Sequence, residues 1–391
     1  MQGMVGVPRS GVRAVGISLL GRTATATLLL LLTPILLMAQ GGGRHAYTFL
    51  DLPVSPRLAA LGGKAPSLIN SPSPSLGMHN PAAALPDIHG MAEVGFTLYY
   101  ASIKYNHAAY FHHVPSIGML GLSLRQVWYG RLTRRDALGA AQGHFTAYDQ
   151  ALSLHYSQTL WRGLRIGATL TPILSRIERY TSVALGMDVG LLYHSDDRFV
   201  SAGLLCRGVG ASLRGYTRNA VESTPFEVLA GASLGLEYAP VRFIVTLQHL
   251  ENWKSRFSSE DTRNPLEGNG RWEEESESNW QALYRELLAH PIIGMELYPS
   301  RYFYLQVAYN HKRRSEMAVE ARPYLVGFSW GVGIQIKRFS FGFARAVYHV
   351  HGATNHISIS YQFGRPPSAP HTEAPSDLLD VIQQPHDNAE P

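Results

Sequence analysis

The sequence predicts an all-β fold, a 14-stranded antiparallel transmembrane β-barrel of the outer-membrane kind, and three observations predict it. First, apolar and polar residues alternate with period two in segments of about ten residues, the length at which a tilted strand crosses a bilayer. Second, the connections between these segments are short after even strands, while the long ones all follow odd strands. Barrels show this parity because one rim carries tight turns and the other carries loops. Third, the last regular stretch places Ile357, Ile359, Tyr361 and Phe363 on one face and Ser358, Ser360 and Gln362 on the other, and ends on an aromatic residue.

Bulk composition fits this reading. The 391 residues are 45% hydrophobic, and past Gln40 no apolar run is long enough for a membrane helix. A barrel needs no such run, because only alternate residues meet lipid. The 20 Tyr and six Trp suit aromatic girdles at the two interfaces. Net charge is +5, but Arg9, Arg13 and Arg22 lie in an acid-free leader; without them 31 basic residues face 29 acidic ones, so nucleic acid is not an expected partner. Cys206 is the single cysteine, which excludes an internal disulfide and a cysteine-based zinc site.

Residues 1–39 read as a signal peptide, with a basic leader, an apolar core over 28–38 and cleavage after Ala39. Residues 40–90 are rich in Gly, Pro and Ser, and Pro66, Pro72, Pro74, Pro81 and Pro86 exclude long regular structure. One short helical turn is expected at Leu58, Ala59, Ala60 and Leu61 before Gly62 and Gly63. Such a segment is either a periplasmic arm or a plug inside the lumen.

The barrel follows over 91–363, with strands expected at 91–100, 103–113, 117–129, 144–158, 163–177, 181–194, 198–208, 226–238, 241–251, 291–298, 302–311, 325–337, 338–349 and 354–363. Phe328, Trp330, Val332, Ile334 and Ile336 oppose Ser329, Gly331, Gly333, Gln335 and Lys337. The inward faces are rich in Gly, Ser and Thr, which leaves room for a plug or water. Long loops are expected at 130–143, 209–225, 252–290 and 312–324, and an even strand count puts both barrel ends in the periplasm with these loops on the cell surface. The acidic 252–290 loop holds a helical stripe of Trp280, Leu283, Tyr284, Leu287 and Leu288. Residues 364–391 read as a disordered, Pro-rich tail.

No enzyme chemistry is expected. G-x-S-x-G and H-E-x-x-H are absent, as is a phosphate-binding loop. His349, His351 and His356 have no carboxylate near them in sequence, so no metal or other cofactor is expected. Ser153 and His155 share a strand face and read as lumen polarity.

A resemblance adds to this reading. Tyr47-Thr48-Phe49-Leu50-Asp51-Leu52-Pro53-Val54-Ser55-Pro56-Arg57-Leu58-Ala59-Ala60-Leu61-Gly62-Gly63, then His79-Asn80-Pro81-Ala82, resembles the opening of the PorV/PorQ family of FadL-like barrels of the type IX secretion system. Weaker matches are Thr224-Pro225-Phe226-Glu227, Leu247-Gln248-His249-Leu250-Glu251-Asn252-Trp253, Gly327-Phe328-Ser329-Trp330-Gly331 and the stretch from Arg345 to His356. Pro56 stands where that family usually has Ala, and the acidic loop and tail are expanded. The resemblance implies a non-enzymatic outer-membrane component that anchors the cell-surface cargo-attachment complex by holding PorZ and, through it, PorU and PorV, with lipopolysaccharide nearby. The rival expectation is a FadL-like transporter of hydrophobic small molecules. Candidate partner residues on the outer loops are Arg271, Trp272, Glu273, Glu274, Trp280, Arg313 and Arg314. Candidate plug residues are Leu52, Pro53, Arg57, Gly62, Gly63, Asn80 and Pro81.

Overall fold

The computed structural model describes residues 46–99, 101, 103–217, 221–252, 287–300, 302–317, 326–349 and 352–363. Fourteen strands follow one another: β1 (Met91–Leu98), β2 (Lys104–Val114), β3 (Gly118–Arg135), β4 (Ala141–Trp161), β5 (Leu164–Ile177), β6 (Tyr180–His194), β7 (Val200–Arg214), β8 (Glu227–Gly235), β9 (Val241–Leu247), β10 (Pro291–Ser300), β11 (Phe303–Asn310), β12 (Phe328–Ile336), β13 (Phe339–His349) and β14 (Gly352–Gln362). Each pairs antiparallel with the next, and β1 pairs with β14 from Met91↔Gln362 to Leu98↔Asn355, so the barrel is closed. Closure leaves no strand edge exposed to lipid, where an unpaired N–H or C=O would cost several kcal/mol.

The strands are inside-out relative to a soluble protein. Leu122, Leu124, Leu152, Leu154, Leu170, Leu204, Phe341 and Ile357 are exposed on the outer face. Their neighbours Ser123, Arg125, Ser153, His155, Thr169, Thr171 and His356 are buried in the lumen. This is the period-two pattern of the sequence, with lipid on the apolar side. The girdle that results makes the chain a barrel of the outer-membrane type. No helix among the described residues is long and apolar enough to span a membrane.

Two of the expected loops begin as strand. Beyond a bulge at Gly130 (φ 80), β3 continues to Arg135 and pairs with β4 from Ala141, so most of 130–143 is a two-stranded ribbon with a turn at 136–140. Leu132 and Phe145 there, cross-strand partners, are good strand formers. Likewise β7 runs on to Arg214 past Gly208 (φ 70), although a loop was expected from Val209. The glycine at each bulge adopts a backbone that L side chains resist, which explains why the alternation in sequence breaks there. Of the helix expected in the acidic loop, only its last turn is described, helical at 287–289; residues 253–286 lie outside the described residues.

Residues 46–90 lie within the lumen as a chain of short turns. The first helix, α1 (Pro56–Ala60), is capped by Ser55, whose side chain accepts from Leu58 N, and has Pro56 at its first position. It stops at Gly62 (φ 79) and Gly63 (φ 97), where Gly63 N donates to Leu58 O. The second, α2 (Pro74–His79), ends at Asn80, whose side chain accepts from Ala82 N and opens a turn at Pro81–Ala83.

The outer wall gives a direct expectation. Leu154→Arg, on the lipid face of β4, lowers stability in vesicles by about 2–4 kcal/mol, whereas Leu138→Arg in the protruding ribbon turn leaves it unchanged. Urea unfolding followed by tryptophan fluorescence measures both; equal effects would contradict a lipid-facing wall.

Candidate functional site: the plugged lumen

The wall is carved to receive the plug. A Cβ on Gly190 would overlap Asn80 Oδ1, one on Gly203 would overlap the Pro66 carbonyl, and one on Gly167 would overlap the Pro81 backbone. Gly231 sits against Pro66, Gly294 against Leu61, Gly331 against Ala60 and Gly342 against Pro56. These lumen-facing glycines come from β5, β6, β7, β8, β10, β12 and β13, so the groove runs around much of the barrel.

Buried charges of opposite sign fasten plug to wall. The Arg57 guanidinium donates from Nε and Nη2 to Glu296 Oε1 at 3.2 and 3.0 Å, from Nη1 to Ser71 O at 2.8 Å and from Nη2 to Tyr298 Oη at 3.1 Å. It also lies 5.3 Å from the centroid of the Tyr304 ring. With Arg57 3% and Glu296 0% exposed, this pair is beyond the reach of salt screening. Two strands further round the wall, at β8, Lys64 donates to Glu227, which also accepts from Arg207 of β7; Arg207 reaches Asp51 of the plug at 3.0 Å. Glu93 of β1 accepts from Ser73 Oγ at 2.7 Å and contacts His107 at 3.2 Å.

Hydrogen bonds to backbone and neutral groups complete the attachment. Arg165 donates to Ala82 O at 3.2 Å and to Ala84 O at 2.8 Å, taking up carbonyls that the short plug turns leave open. Ser329 Oγ donates to Ala60 O and accepts from Gly62 N. Asn80 Nδ2 donates to Pro66 O at 2.7 Å, tying the two halves of the plug together. Ala65 N donates to His79 Nε2 at 3.2 Å, which requires an unprotonated nitrogen there. Burial, with the Arg207 guanidinium adding to it, pushes His79 down to about 3, so the ring stays neutral.

Little space is left between the described plug and wall residues. A cavity of about 30 Å³ lies among Leu52, Pro53, Gly63, His79, Arg125 and Asp188, and another of about 20 Å³ lies beside Arg57 and Ser73. Each has room for a few waters at most.

The plug residues singled out in the sequence lie in the lumen, at separate places along the wall. Arg57, Gly62, Gly63, Asn80 and Pro81 contact the wall, and Leu52 and Pro53 line the larger cavity. Lys64, Arg207, Glu227, Glu296, Glu93 and Arg165 were missed. Their signal was present: each wall member is a charge at an inward position of a period-two strand, and the plug carries countercharges for Glu296, Glu227 and Arg207. Of the three histidines, His356 bonds Thr97 and Thr354, while His351 and the His349 side chain lie outside what is described. No group of metal ligands is found among the described residues. His155 bonds Ser123 at 2.8 Å and Thr169 at 2.9 Å, while Ser153 bonds Thr171, so the two form no nucleophile–base pair.

At the long-loop end Arg313 and Arg314 lie on α3 (His311–Met317), which continues from β11. Both are half-buried: the Arg313 guanidinium packs against Gly63 of the plug, and the Arg314 Cβ packs against Gly327. Arg271, Trp272, Glu273, Glu274 and Trp280 lie outside the described residues.

No family model matches the chain, and no curated protein matches it. Solved structures similar to it include the TodX monoaromatic hydrocarbon channel deltaS2 mutant, with 11% identity and a TM-score of 0.49 over 82% of this chain and 100% of that one. The Ralstonia pickettii toluene transporter TbuX gives 11% and 0.46 over 81% and 99%. A Pseudomonas aeruginosa FadL homologue gives 9% and 0.40 over 78% and 98%.

The clamp yields a quantitative expectation. Arg57→Ala strands Glu296 in the lumen and costs about 3–5 kcal/mol in urea unfolding, whereas Arg57→Met with Glu296→Gln recovers most of that loss. If the double variant is as unstable as the single one, the pair is not what holds α1 to the wall.

Proposed function

We propose that the protein is a non-enzymatic outer-membrane anchor, a plugged barrel whose rigid wall presents surface loops to a soluble protein assembly. The observation that carries this is the lumen: ion-paired plug residues occupy it, and the cavities beside them hold about 30 and 20 Å³. A solute route needs a continuous path, and a drug-sized ligand needs a pocket of several hundred Å³. A scaffold needs neither. It needs stiffness, which a wall-bonded plug supplies, and it needs exposed loops. The resemblance of the 47–63 and 79–82 motifs to the PorV/PorQ family supplies the identity of the assembly: the cargo-attachment complex of type IX secretion, with PorZ as the direct partner and PorU and PorV beyond it. The termini then lie on the periplasmic side and the long loops on the surface, with 252–290 as the docking loop.

A second reading is transport of hydrophobic molecules, the activity printed in the names of TodX and TbuX. The observation in this chain that favours it is a register shift between β6 and β7 at Met187 and Val189, beside the larger cavity and Asp188. A lateral exit would need such an interruption of the wall. Against it stands the lining, where Arg125, Asp188 and Arg207 make a poor surface for an apolar solute.

Affinity capture from detergent-solubilised outer membrane distinguishes the two. The full chain is expected to retain a large soluble partner, the chain lacking 252–290 to lose it, and cells without the protein to take up toluene normally. An unchanged partner list after the deletion, together with impaired toluene uptake in cells without the protein, would reverse the order of the two readings.

A further inference from the structure

On the outer face of β2–β5, three cations surround two aromatic rings at the long-loop end of the wall. Trp128 and Tyr148 are cross-strand partners on β3 and β4. Lys104 on β2 is the other partner of Trp128, with its Nζ 5.4 Å from the centroid of that indole. Arg176 on β5 is the other partner of Tyr148. Arg131, paired with Thr146, is the next outward residue along β3 past the bulge. Register thus sets Lys104, Trp128, Tyr148 and Arg176 side by side, with Arg131 just beyond them.

All three cations share the outer face with the lipid-exposed leucines. Leu122 and Leu124 precede Trp128 on that face of β3, and Leu152 and Leu154 follow Tyr148 on β4. Aromatic rings at the end of an apolar wall mark the boundary between hydrocarbon and headgroups. The cations therefore stand at headgroup height. Among the described residues no ion pair joins any of them to a carboxylate. The nearby Glu178 carboxylate is engaged by Arg134, and its backbone carbonyl accepts from Arg176 Nε. Asp149 points inward, to Tyr129 and Ser175. Three positive charges beside an apolar wall, with no carboxylate partner among the described residues, match an anionic headgroup on apolar chains.

We infer that Lys104, Arg131 and Arg176 hold the phosphate of a phosphorylated lipid in the leaflet at the long-loop end, with its acyl chains along the leucine wall. The inference rests on the wall alone and does not depend on which reading of the lumen holds.

Native mass spectrometry of the purified full chain in detergent tests it with two probes that share acyl chains, phosphatidic acid and diacylglycerol. The chain is expected to retain phosphatidic acid over diacylglycerol, with inorganic phosphate failing to displace it. The variant Lys104→Gln/Arg131→Gln/Arg176→Gln is expected to lose affinity by about fivefold per charge removed, while the charge-matched control Arg162→Gln/Lys337→Gln/Arg338→Gln in the opposite turns changes it by less than about twofold. A heat-dependent shift in gel mobility confirms that each variant is a folded barrel; if the triple variant fails it, Lys104→Gln alone carries the test. Equal retention of the two lipids, undiminished binding by the variant, or an equal loss in the control would overturn the proposal.

Discussion

The constraint on which this structure depends is that no backbone N–H or C=O can be left unpaired against lipid. The ladder between Met91–Leu98 and its partners on β14 meets it by joining the first strand to the last. Once the sheet is a cylinder, its two faces have fixed environments. The outer face must be apolar, and the inner face is sheltered from lipid and free to be polar. Glu93, Arg165, Glu227 and Glu296 occupy inner positions that would be intolerable on the outer face.

A polar lumen then has to be filled or flooded. Here it is filled. The glycines that line the wall remove side chains where the plug backbone comes close, and the buried carboxylates Glu296 and Glu227 find their cations in the plug or on a neighbouring strand. Plug and wall are mutually dependent, since Arg57 or Lys64 without its carboxylate would be a charge stranded in a buried site. This interdependence is the physical basis for regarding the plug as a resident part of the barrel.

Much of this was legible in the sequence because a membrane wall enforces period two wherever a strand runs without a bulge. Ile357, Ile359 and Phe363 had to face one way, and the tight turns after even strands followed from antiparallel closure. The legibility failed at Gly130 and Gly208, where a bulged glycine shifts the alternation and a strand continues under the appearance of a loop. Helix α1 was readable from Leu58, Ala59 and Ala60 before two glycines. The plug's location was not, since a Pro- and Gly-rich arm looks the same inside or outside a barrel. The signal lay in pairing inward charges on one segment with countercharges on another, a correlation across more than 200 residues for Arg57 and Glu296 that no local pattern reveals. Arg313 shows the same limit: residues 312–324 read as a surface loop, yet 311–317 form a helix and the Arg313 guanidinium turns toward Gly63.

Ion conductance across a planar bilayer is the most direct test of the sealed lumen. The full chain is predicted to insert without a steady conductance, and the chain lacking residues 46–90 to open a stable pore. A full chain that conducts as freely as the truncated one would contradict the account.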